Sequence, residues 1–337
     1  MTSEVAKSGG TSAAVLLPIM AVIFGVYIVM GLAMPVLPLY VHQGLGLGPF
    51  VVGLVSGSQF AAAMFSRFWA GHHADNKGPK HALLTGLLVA AASGLLYVLS
   101  FYFAGRPSTS VGIPLLGRAV LGAGESLVIT GALTLGLTLV GAQNTGKVMS
   151  WIGTALYTGF AIGAPVGTTL YAGYGFEAVA LATMLIRLVG LPLLSFVRHA
   201  PLPQGRRFAG LTKVAGAVWL PGLGVALAGV GFGAISTFIV LVYVARGWNP
   251  MWLPFTALSI AFIGGRGVFG HFPDRIGGAE VALFCIVVEA IGQALSGKHI
   301  PLRLRCLELF SQVSATRSFI PGSAWKRSVA RRARAVA

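Results

Sequence analysis

Residues 13–41 read AAVLLPIMAVIFGVYIVMGLAMPVLPLYV, without one Asp, Glu, Lys or Arg. A helix needs about 20 residues, at about 1.5 Å of rise each, to cross a hydrocarbon core roughly 30 Å thick, and this run is longer than that. The apolar residues are continuous instead of alternating, which selects a helix over a barrel strand as the way to satisfy the backbone in lipid. The run exceeds the apolar part of a signal peptide and no small-residue cleavage site follows, so it is read as a retained first helix. Eight more apolar runs follow at 50–69, 82–103, 111–140, 148–171, 176–196, 214–244, 252–268 and 279–295. Composition points the same way: 55% of residues are hydrophobic and 9% charged, against about 25% charged in a soluble domain. The expected fold is an all-α polytopic membrane protein. Residues 1–12 form the N-terminus, 13–197 a six-helix bundle, 198–213 a linker, 214–295 three helices of a second bundle and 296–337 a basic tail.

A net charge of +16 would suggest nucleic-acid binding in a soluble protein, but its distribution argues for a lipid bilayer instead. Connections after even-numbered runs carry Lys77, Lys80, Lys147, Arg198, Arg206, Arg207, Lys213 and Arg275, whereas those after odd-numbered runs carry only Arg106 and Arg246. The positive-inside rule then places the N-terminus and the 198–213 linker in the cytoplasm. Cys285 and Cys306 make neither a disulfide framework nor a metal cluster, and His72 and His73 are adjacent, without metal-ligand spacing. No P-loop or nucleophile–base pattern is present. Metal, cofactor, ATP and enzymatic chemistry are therefore not expected.

The segment after the second run, GHHADNKG at 71–78, repeats after the eighth as GHFPDRIG at 270–277. Both have the spacing G-x-x-x-D-x-x-G, six helices apart and on one side of the membrane, as a duplicated six-helix unit requires. The motif resembles the loop between helices two and three of the major facilitator superfamily, carried here by Gly71, Asp75, Gly78 and Lys80 and, in the repeat, by Gly270, Asp274, Arg275 and Gly277. The resemblance implies a cytoplasmic gate in that loop. Arg118-Ala-Val-Leu-Gly122 is similar to the family's fourth-helix motif, and Glu125 lies two turns further along. Charges in hydrocarbon are costly and normally face a wet cavity, so Arg118 and Glu125 are the candidate substrate and proton path, the alternative being a structural pair. Gly159, Gly163, Pro165 and Gly167 resemble the helix-five motif of the antiporter branch, with Ala164 inserted; a packing seam around a kinked helix is the plainer reading. Arg187 and Glu289 are further intramembrane charges that suit either a helix pair or the path.

The stretch 218–278 looks like a bacterial subgroup related to drug and sugar exporters, and the resemblance covers about residues 15–295. It implies secondary transport of a small organic solute by alternating access, with protons as the coupling partner, export as the direction, and a monomer in the bacterial inner membrane. No spanning run follows Leu295, and the tail carries nine Lys or Arg against Glu308 alone. An odd ninth helix would leave that charge outside, contrary to the positive-inside rule. The tail is therefore expected to be out-of-frame sequence, and the alternative to transport is a chain that, short of three helices, inserts poorly and transports nothing.

Overall fold

The computed structural model describes residues 2–102, 107–198 and 229–269, and among them there is no strand. The fold is all-α and polytopic, as the apolar runs require. Helix α1 spans Thr2–Leu39 and ends in a π-turn at Tyr40–Gly44; α2 spans Pro49–Lys77, α3 Pro79–Tyr102 and α4 Pro107–Val140. Most of the 1–12 segment continues α1 instead of preceding it, since extending a formed helix fixes one residue per added bond.

Helix α5, Thr145–Gly190, is 46 residues long, about 69 Å at helical rise and twice a bilayer core. It is two crossings. Gly175 breaks it with φ 74° and ψ −173°, a backbone region open almost only to glycine. The break falls between the fifth and sixth apolar runs. With its two arms counted separately, the first bundle has six helices. The second arm ends ahead of Pro192, and a 3-10 turn at Pro192–Phe196 closes it.

Two further helices are described, α6 at Gly229–Ala245 and α7 at Leu253–Phe269. Contacts divide the chain into two units, Met1–Arg206 with Ser236–Thr256, and Arg207–Ile235 with Ala257–Ala337. In the first unit, Leu32, Val36, Leu37 and Val41 of α1 form a buried cluster with Val52 and Val55 of α2 and Phe176 and Val179 of α5. Phe238 and Leu241 of α6 pack against this cluster, which is why part of the second apolar set joins the first unit. In the other unit, Phe232 meets Phe262 edge-on with ring centroids 6.3 Å apart, a spacing typical of aromatic pairs. The ninth apolar run at 279–295, Cys285, Glu289, Cys306, the 199–213 part of the linker and the 296–337 tail lie outside the described residues, as do Gly270, Asp274, Arg275 and Gly277.

Candidate functional site

Helix packing in lipid depends on close approach, and small residues permit it. A side-chain carbon at Gly122 of α4 would land on the Gln59 carbonyl of α2, and one at Gly124 would lie 2.8 Å from the Ala90 nitrogen of α3. Helix α4 is therefore held tightly on both flanks, which fixes what its polar residues meet. Gln59, fully buried, donates from Nε2 to Glu125 Oε2 at 2.7 Å and touches Met30 Sδ at 3.5 Å. Glu125 is 7% exposed and Arg118, two turns away on α4, is 2% exposed.

Arg187, on the second arm of α5, is 1% exposed. Its Nη1 donates to the Ala90 carbonyl and, at 2.8 Å, to Ser93 Oγ. Several buried polar atoms of this cluster have no hydrogen-bond partner: Glu125 Oε1, Gln59 Oε1, Tyr97 Oη, Nε and Nη1 of Arg118, and Nε and Nη2 of Arg187. Arg118, Arg187, Tyr97 and Glu125 lie within one another's electrostatic reach. Arg118 and Glu125, expected on one face two turns apart, are thus brought into one interior. The structure joins to them Gln59, Ser93 and Tyr97, which sequence reading did not single out. Gln59 had a visible signal as the one amide within the apolar run 50–69.

The residues of the 71–80 motif sit where α2 turns into α3. Gly78 terminates α2 with φ 94° and ψ 152°, again a glycine-only conformation, and Pro79 starts α3 where its missing N–H is harmless. Beneath the turn, Ala70, Ala74, Ala82 and Leu127 form a small core that allows the helices to converge. Lys80 Nζ donates to the Val197 carbonyl at 2.6 Å, a cation at the end of the turn that closes the second arm of α5. Asp75 is half-buried, and a side chain at Gly71 would meet nothing within 4 Å. Gly78→Ala is expected to cost about 1–3 kcal/mol of backbone strain, read as a lower melting temperature of the purified protein; an unchanged melt would mean the turn relaxes freely.

The helix-five motif lies against α1. Side-chain carbons at Gly159, Gly163 and Gly167 would collide with the backbone at Tyr27 and Ile28, at Ile28 and Gly31, and at Leu32. Three glycines at four-residue spacing make one seam, the plainer of the two sequence readings. Pro165, within it, has no N–H to offer the Ala161 carbonyl one turn back. That carbonyl instead accepts a hydrogen bond from Thr256 Oγ1 of α7 at 3.0 Å.

The family model of the Major Facilitator Superfamily matches residues 19–296. An MFS-type transporter of Salmonella typhimurium is 38% identical over 279 residues, covering 82% of this chain and 71% of the relative. The MFS-type transporter YhhS of Escherichia coli is 39% identical over 280 residues, covering 81% and 67%. Among solved structures, the inward-open xylose transporter XylE of E. coli superposes with a TM-score of 0.67 at 16% identity, covering 94% of this chain and 81% of that one.

Proposed function

The chain belongs to the Major Facilitator Superfamily, and from that membership we propose that it is a proton-coupled transporter that exports a small organic solute by alternating access. Transmembrane transport itself follows from the family. Proton coupling is read from one observation: a carboxyl group, Glu125, is buried deep in the bundle and held there by Gln59. A carboxyl group placed there holds its charge best where a nearby cation offsets it, so proton uptake and release is tied to rearrangement of the helices around it. Arg118 supplies a cation on the same helix. Export is favoured by the resemblance of the Gly159–Gly167 segment to the antiporter motif, and the bacterial relatives favour the inner membrane. The basic loops favour a cytoplasmic N-terminus, with Asp75 and Lys80 forming a gate on that side and the protein working as a monomer.

Proteoliposomes loaded with a pH-sensitive dye test this reading. Sugars, nucleosides, organic anions and lipophilic cations are added in turn. At least one class is expected to drive a proton flux that empty liposomes lack and that an uncoupler abolishes. Solute movement that leaves the internal pH constant would sink proton coupling.

A further inference from the structure

We propose that Arg187 is the counter-ion of Glu125: a positioning residue whose guanidinium stabilises the carboxylate left after proton release. The inference rests on the reading of Glu125 as the coupling site. Two guanidiniums, Arg118 and Arg187, and one carboxyl group are buried together among the described residues of the first unit, and buried charges persist only when paired or well hydrogen-bonded. The polar groups within electrostatic reach of Glu125 come from all five helices: Tyr27 of α1, Gln59 of α2, Tyr97 of α3, Arg118 of its own helix and Arg187 of the second arm of α5.

These partners differ in what they can tell apart. Gln59 carries both a donor and an acceptor on one amide, so it suits Glu125 with or without its proton. An arginine offers only donors and a fixed charge, so it favours the carboxylate alone. Arg187 is the better held of the two cations. One of its nitrogens is fixed by the Ala90 carbonyl and Ser93 Oγ. Its Nε and Nη2 remain without a partner, as does Glu125 Oε1. A guanidinium anchored at one nitrogen and open along its other edge is preset to receive a carboxylate oxygen. The anchor comes from α3 and the cation from α5, whereas the carboxyl group rides on α4. Engagement of the pair would therefore register the proton state of Glu125 as a displacement of α4 against α3 and α5.

The test needs no substrate. The full chain is reconstituted in liposomes, and the infrared carbonyl stretch of a protonated carboxylic acid is followed against pH. The wild type is expected to show a titrating band that Glu125→Gln removes. In Arg187→Met its midpoint should move upward by at least one pH unit, a tenfold gain in proton affinity. Arg187→Lys, which keeps the charge, should stay near the wild type. Ser93→Ala, which loosens the anchor but spares the core, should shift the midpoint the same way by less, and it serves should Arg187→Met fail to fold. A band lost in Glu125→Gln but unmoved in both Arg187→Met and Ser93→Ala overturns the role of Arg187 alone. Absence of any titrating band overturns the coupling site, and this proposal with it.

Discussion

Gly163→Leu is expected to leave little or no folded protein in the membrane. A side-chain carbon there would lie 2.9 Å from Gly31 Cα and closer still to the Ile28 carbonyl, so the obstacle is backbone and not the movable end of a side chain. Neighbouring contacts at Gly159 and Gly167 prevent the helices from tilting apart at one point only. Overpacking a tight site costs about 1–3 kcal/mol, occasionally more, and in lipid there is no hydrophobic driving force between helices to offset it. Gly173, on the same arm, faces open space, so Gly173→Leu is the control. Detergent extracts compared by size exclusion should show a monodisperse peak for the control and loss of most of it for Gly163→Leu. Equal peaks would show that α1 and α5 are less tightly joined than the seam implies.

Glu125→Gln should have the opposite signature, a sound protein with its coupling gone. The amide fills the same volume and can still bond to Gln59, which holds Glu125 at 2.7 Å, so the bundle keeps its packing. It cannot exchange a proton. For a solute identified by the dye experiment, the wild-type rate should change by up to about tenfold per pH unit where one proton is linked. The variant should be flat with pH and drive no proton flux, while still exchanging labelled for unlabelled solute across the membrane. A variant with wild-type pH dependence would place the coupling proton elsewhere.

The helices of the first bundle were legible in the sequence because their apolar runs are long; even the split of α5 coincides with the gap between the runs at 148–171 and 176–196, where Gly175 takes the break. Arg118 and Glu125 were legible as charges out of place. What they touch was not. Gln59, Ser93 and Tyr97 are uncharged and stand among other uncharged polar residues of their runs, such as Ser56, Ser58 and Ser100, so nothing in a run marks which of them meets a buried charge. Their meeting is decided by Gly122 and Gly124, which set how closely α2 and α3 approach α4. Interhelical distance is a property of pairs of runs, and no single run contains it. The seam along α1 was half legible: the glycine spacing announced a close contact, but not with which helix.

The bond from Thr256 to Ala161 has a consequence of its own. In an ordinary helix every interior carbonyl is engaged by its own chain, so a neighbouring side chain can reach one only by sharing it. Pro165 leaves the Ala161 carbonyl with a full lone pair to lend. It is a socket built into a rod, and emptying it frays nothing, because no helical bond is broken when the hydroxyl withdraws. A single such bond contributes about 0.5–1.5 kcal/mol net, whereas a carbonyl left buried without a donor costs about 1–3 kcal/mol, so the hydroxyl can leave cheaply only where another donor takes its place. Proline at this position thus turns a point of helix weakness into a fastener for a neighbouring helix.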